Sequence, residues 1–389
     1  MLTIFKNAEV FSPSPMGQKD VLVGGNTILA IAAPGKMALS GLPVEVVDAT
    51  GKWLVPGLID AHVHITGGGG EGGFRTRTPE LVPGDMVRAG VTTVVGTRGT
   101  DGTTRTMAGL VAKVKSLKDE GLSAYCYTGS YRLPLRTLTG NIQDDLILIE
   151  EIIGVGEVAV SDHRSSQAGL QELQHTIAEA RVGGMLAGKA GLVNIHMGDG
   201  PGGLGPVKQV MAETQIPIQQ VLPTHVNRNG NLFNEALAFA KAGGRVDVTT
   251  SSTPQFVEEG EIPAAKAVET FHLNGIPSGH LSMTSDGQGS LPSFDDQGRI
   301  KGLTIGRCDT LLAVVKEACR LGVPFAYALA TVTETPASWL KLSGKGRIQV
   351  GKDADILLIN PQTFEMDHYM ALGTSWITGG KRIKWATFE

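Results

Sequence analysis

The segment Asp60-Ala61-His62-Val63-His64 closes an apolar, β-rich run at residues 54–65. Side chains alternate along a strand, so His62 and His64 share a face as a two-imidazole clamp for a transition metal. A histidine pair of this kind also occurs in ordinary cores, so the reading depends on what accompanies it. Three other apolar runs end in Asn194-Ile195-His196-Met197-Gly198-Asp199, Pro223-Thr224-His225-Val226-Asn227-Arg228 and Thr284-Ser285-Asp286-Gly287. Imidazole and carboxylate donors suit Zn, Mn or Ni better than Mg or Ca, and an imidazole-rich set with an open position favours zinc. Such a set implies a metallohydrolase. Two metals sharing a hydroxide need an anionic bridge, and their charge lowers the pKa of that hydroxide's parent water. His175, His272, His280 and His368 end no such run and are read as structural.

The elements that position these residues repeat. Eight β-type runs, at 54–65, 91–99, 123–131, 157–164, 193–199, 221–227, 246–252 and 281–287, alternate with helix-compatible stretches such as 79–89, 103–120, 170–187 and 232–242. This is the pattern of a (β/α)8 TIM barrel, in which strand C-termini meet at one mouth, so His62, His64, His196, His225 and Asp286 should converge. Two doubly wound domains of four strands each are the alternative. Short strands punctuated by Gly, Asn, Pro and Ser occupy the first 57 residues, and similar ones return after 345. We expect residues 1–57 and 346–389 to form a small β-sandwich domain, with the α/β barrel at 58–345 inserted between them.

Composition narrows the function classes. With 34 Lys+Arg against 38 Asp+Glu the net charge is -4, without a basic run, so no nucleic-acid partner is expected. Apolar residues reach 41%, enough for a large core, and the 52 glycines suit many tight loops. Cys126, Cys308 and Cys319 make an odd, widely spaced set with no disulfide framework, which suggests a reducing compartment. No apolar run approaches the ~20 residues needed to span a bilayer, and the N-terminus lacks a signal-type core, so no membrane contact and a cytoplasmic location are expected.

The combination of HVH after the first run, His after the fifth and sixth and Asp after the eighth resembles the amidohydrolase superfamily. Six motifs in order are similar to its isoaspartyl (β-aspartyl) dipeptidase family: DAHVHITGGGGEGG (60–73), TGSYRLPLRT (128–137), SDHRSS (161–166), HMGDG (196–200), LPTHVNRN (222–229) and SDGQGS (285–290). The resemblance spans the chain and implies a dipeptidase with two divalent metal ions, most simply Zn2+. It would cleave the β-linked peptide bond of isoaspartyl dipeptides through a metal-bridging hydroxide. By the same resemblance, His62, His64 and Asp286 would hold one metal and His196 and His225 the other. Asp286 would take the hydroxide's proton and deliver it to the leaving amine, and Tyr131 would donate to the oxyanion. Glu71 would hold the substrate ammonium, Arg164 and Arg228 its carboxylates, and Thr100 and Ser290 further carboxylate contacts. A homo-oligomer, an octamer in the family, is also implied. An N-acyl amino acid deacylase or a cyclic amide hydrolase is the alternative within the fold; neither substrate offers Glu71 an ammonium. A metal-free scaffold would be expected to have lost ligands that this chain keeps.

One position departs from the resemblance. The family pattern has a side-chain-carboxylated lysine on strand four bridging the metals, yet no lysine occurs between Lys118 and Lys189, and the matching residue is Glu157. Glutamate offers the same charge and two oxygens on a shorter arm. The neighbouring Gly156, with what looks like an extra residue, would let the backbone approach. We expect Glu157 to bridge, the alternative being a non-bridging Glu157 and a single metal.

Overall fold

The structure is a computed structural model that describes residues 2–37, 41, 43–295, 297 and 299–389. Eight parallel strands form the centre: β1 (Leu58–Val63), β2 (Val91–Gly96), β3 (Ser123–Thr128), β4 (Ile152–Val160), β5 (Leu192–Met197), β6 (Val221–Thr224), β7 (Val246–Thr249) and β8 (Leu281–Thr284). β1 to β6 pair in order in one sheet and β7 pairs with β8. Two hydrogen bonds close the ring: Val226 N donates to Asp247 O at 3.2 Å, and His64 N donates to Gly287 O at 2.8 Å. The result is the expected barrel. Ala61, Val95, Tyr127, Ile153, Leu192 and Leu222, one from each of six strands, pack with Trp339, Leu340 and Leu342 as a buried floor.

Helices cover the barrel within a few residues of the expected ranges. Thr106 caps the helix Met107–Asp119 by accepting from Gly109 N, and Asn229 caps Gly230–Lys241 by accepting from Leu232 N. No helix among the described residues is long and apolar enough to cross a membrane.

Both chain ends enter one nine-stranded sheet, joined where Trp53–Pro56 pairs antiparallel with Ile356–Ile359. Phe5, Val10, Val23, Leu54, Ile356 and Met370 bury its core. Lys345 ties this sheet to the barrel: its buried Nζ lies 2.6 Å from Ser123 Oγ on β3, 2.6 Å from Asp355 Oδ2 and 2.8 Å from Asp353 Oδ2.

Three sequence expectations change. The run 54–65 is two strands, because Gly57 lies against the next strand; a Cβ there would meet Thr92 Oγ1 at 2.2 Å. The short apolar run at 2–4, the sequence signal for the N-terminal strand, is only its start: the strand continues to Phe11, since a bulge with Asn7 at φ 60 carries it past the polar Lys6-Asn7 pair. β4 begins at Ile152 and ends at Val160, so Glu157 is in its interior and residues 161–164 form the turn beyond.

Candidate metal centre and substrate cavity

Glu157 reaches the site through a local irregularity of β4. The pairing with β5 steps from Val193↔Val155 to Ile195↔Val158, which inserts one residue into β4 at Gly156-Glu157. Gly156 has φ 150, and a Cβ there would come within 2.8 Å of Asn194 Cβ. The glycine therefore allows the close backbone approach that the shorter glutamate arm requires.

The Glu157 carboxylate sits among four imidazoles. Oε2 is 3.3 Å from His62 Nε2, 3.0 Å from His196 Nδ1 and 3.5 Å from His225 Nε2, while Oε1 is 3.3 Å from His64 Nε2. Asp286 Oδ1 lies 3.1 Å from His64 Nε2 and 3.7 Å from His62 Nε2. Among the described residues, two groups have donor atoms close enough to share an ion, His62 with His64 and Asp286, and His62 with Glu157 and His225. His62 Nε2, Glu157 Oε1 and Asp286 Oδ1 are buried without a hydrogen bond, as donors aimed at a cation would be. The donor set thus fits divalent metal.

Second partners orient the rings. His62 Nδ1 lies 3.1 Å from Asn194 Oδ1, and His225 Nδ1 lies 2.5 Å from Thr249 Oγ1, which directs both Nε2 atoms inward. Electrostatics demand positive charge here. Burial disfavours a charged His64, yet Asp286 and Glu157 raise it to about 10. Burial and then His196 lower His225 to about 3.

His196 stands outside both groups. Its Nδ1 faces Glu157 and the Tyr131 hydroxyl at 2.8 Å, and its Nε2 faces Asp162 Oδ2 at 3.1 Å. Asp162, Asn194 and Thr249 were not singled out from sequence. Asn194 had a usable signal, standing two residues before His196 on the same strand face; Asp162 stands between Glu157 and Arg164 just past a strand end.

Beside the cluster opens a cavity of ≈ 720 Å³, lined by Glu71, Thr100, Tyr131, Arg164, Arg228 and Ser290 together with His64, His196, His225 and Asp286. Glu71 lies in the loop after β1, where Gly67 to Gly70 thread past Thr78 and Ser290; a Cβ on Gly67, at φ 76, would meet Thr78 O at 2.3 Å. Its Oε1 accepts from Thr100 Oγ1 at 2.7 Å and its Oε2 from Ser290 Oγ at 3.0 Å. Arg164 Nη1 lies 3.5 Å from Glu71 Oε1, and Arg228 Nη1 lies 3.7 Å from Asp199 Oδ2. Thr100 and Ser290 thus each contact Glu71. His175, His272, His280 and His368 do not line this cavity.

The Amidohydrolase family profile matches residues 53–381. The chain belongs to the amidohydrolase family. Among solved amidohydrolase structures it is similar to the β-aspartyl dipeptidase of the thermophilic, keratin-degrading Fervidobacterium islandicum AW-1 in complex with β-Asp-Leu dipeptide. Identity is 45% over 100% of both chains, with a TM-score of 0.93. A second structure of β-aspartyl dipeptidase from that organism is 42% identical over the same span, with a TM-score of 0.91. A deacetylase of Brucella anthropi is 24% identical, over 88% of this amidohydrolase and 79% of the relative.

Proposed function

We propose that this amidohydrolase is a metal-dependent dipeptidase that cleaves the β-linked peptide bond of isoaspartyl dipeptides. The observation that carries this reading is the placement of Glu71, a carboxylate braced by two hydroxyls at the wall of the cavity that also exposes the imidazole cluster. A free α-ammonium distinguishes an isoaspartyl dipeptide from an N-acyl amino acid or a cyclic amide, and Glu71 is the anion to hold it. Full-length similarity to β-aspartyl dipeptidase structures supports the same assignment.

His62, His64 and Asp286 would hold one Zn2+, and His225 and His196 the other, with Glu157 as the bridge; the contacts of Glu157 with all four imidazoles support this. The bound metals would supply Lewis acidity, making a hydroxide available at neutral pH and polarising the scissile carbonyl. Arg164 and Arg228 would orient the substrate carboxylates. Asp286 would accept the proton of the attacking hydroxide and pass it to the leaving amine. Burial, followed by the charge of Glu157, keeps the Tyr131 phenol protonated well above its ordinary range, which suits it to donate to a developing oxyanion.

Homo-oligomeric assembly in the cytoplasm completes the reading. The free thiols of Cys126, Cys308 and Cys319 and the exposed Leu148, Met185 and Leu186 on adjoining helices support it.

The test is leucine release from L-isoaspartyl-leucine by zinc-reconstituted protein, with α-aspartyl-leucine and N-acetyl-aspartate as controls. Turnover of the β-linked dipeptide alone is expected. No turnover by protein holding two metals would assign a different amidohydrolase substrate.

A further inference from the structure

Asp162 lies in the turn after β4 and belongs to neither metal group. Its carboxylate is buried and used completely. Oδ1 accepts from the Arg164 backbone N at 2.7 Å and from Arg164 Nε at 3.0 Å. Oδ2 accepts from Arg164 Nη2 at 2.7 Å and lies 3.1 Å from His196 Nε2. One anion therefore holds two side chains with different tasks.

On the Arg164 side, the two parallel N–H···O bonds fix the plane of the guanidinium, the strongest geometry available to an arginine. That plane passes over the Tyr131 ring, 5.4 Å from its centroid, and brings Nη1 to 3.5 Å from Glu71. On the His196 side, the bond at Nε2 orients the ring so that Nδ1 faces Glu157 Oε2 at 3.0 Å. An imidazole bound through one nitrogen and braced by a carboxylate at the other is a better and better-aimed metal donor.

We propose that Asp162 is a positioning residue that couples recognition of the substrate carboxylate, through Arg164, to placement of the metal-facing nitrogen of His196. The proposal rests on the dipeptidase reading for the first half and on the donor set alone for the second. A residue that merely shaped the turn would need only the bond from the Arg164 backbone N; the three side-chain contacts would then be dispensable.

The experiment compares the wild-type chain with Asp162→Asn, Arg164→Met and the double variant, each zinc-reconstituted. Retention of metal against increasing chelator is read by elemental analysis, and KM and kcat are read with β-Asp-Leu. Asp162→Asn is expected to lose metal at about tenfold lower chelator and to raise KM about tenfold. In the Arg164→Met background the further KM effect of Asp162→Asn should vanish, while a chelator effect persists, because Asp162 Oδ2 meets His196 Nε2 directly at 3.1 Å; Arg164 Nη2 also lies 3.3 Å from that nitrogen, so Arg164→Met alone should lower chelator resistance by less than Asp162→Asn does. Asp162→Glu, which keeps the charge, should restore part of both. Changes within about twofold of wild type in both readouts would overturn the proposal. A KM effect undiminished in the Arg164→Met background would overturn the Arg164 half. If Asp162→Asn does not fold, Asp162→Glu against Arg164→Met gives the same comparison with smaller shifts. If the wild-type chain binds β-Asp-Leu without cleaving it, the dipeptidase reading fails and Kd replaces KM. If it does not bind the dipeptide at all, the Arg164 half fails too, and the chelator arm still judges the link to His196.

Discussion

Gly156 and Asn194 face each other across β4 and β5 so closely that a Cβ on the glycine would come within 2.8 Å of the asparagine Cβ. The contact places Glu157 among the imidazoles, and Asn194 at the same time orients His62. Gly156→Ala should therefore damage stability and metal binding together. Overpacking at such a contact costs about 1–3 kcal/mol. A lower Tm accompanied by lower zinc content is expected; full metal content would show that the close approach is unnecessary.

Glu157 supplies its charge without carbon dioxide, whereas a lysine carbamate cannot form without it. Metal loading should be the same with and without bicarbonate, as measured by elemental analysis after reconstitution. A halving of metal content on bicarbonate removal would refute the bridge. Glu157→Gln keeps the shape and loses the anion, and should lower metal affinity by about 10- to 100-fold.

Glu71 has one task in the proposed reaction, and its removal should be specific. Glu71→Gln is expected to lower kcat/KM for β-Asp-Leu by about 10- to 100-fold, the size of a lost charged hydrogen bond. Zinc content should not change. An unaltered kcat/KM would move the ammonium site elsewhere and reopen the deacylase and cyclic amide alternatives.

Lys345 compensates two carboxylates where the terminal sheet meets the barrel. Lys345→Met should leave Asp355 buried without its cation, which costs about 3–5 kcal/mol. Chemical denaturation should show an earlier transition with the metal content unchanged. A shift below ~1 kcal/mol would mean that the carboxylates are compensated by water.

His368 is buried in the terminal sheet, with Nε2 2.9 Å from Ser375 Oγ and its ring edge-on to Phe5. Burial lowers its pKa to about 4. The unfolded chain, with a pKa of about 6.5, binds the proton more readily, so the stability due to neutral His368 is complete above ~6.5 and declines as pH falls toward 4. The loss amounts to about 3 kcal/mol at 1.36 kcal/mol per unit. His368→Phe should flatten the stability profile between pH 6.5 and 4, and an unchanged slope would assign the acid loss to other groups.

Most of the barrel was readable because its signals are local. Alternation placed His62 and His64 on one face, and strand-end position singled out His196, His225 and Asp286. Glu157 was found by the absence of a lysine, and the extra residue beside Gly156 is the observed bulge. The boundaries of β1 and β4 differ from the sequence reading because apolar β-rich sequence runs continuously across Gly57, and because Gly154 and Gly156 interrupt the apolar run that begins at Ile152.

The sequence by itself determined the side-chain types of the cluster, their order along the barrel and the carboxylate at residue 157, since these follow from residue identity and strand periodicity. Only the tertiary structure decided that Thr100 and Ser290 brace Glu71, that Asn194 and Thr249 orient His62 and His225, and that Asp162 holds both Arg164 and His196. Apart from the local Asp162–Arg164 pair two residues apart, these hydrogen bonds join atoms brought together from different strands and loops, and their lengths depend on how the barrel closes, a quantity that no local run of residues contains.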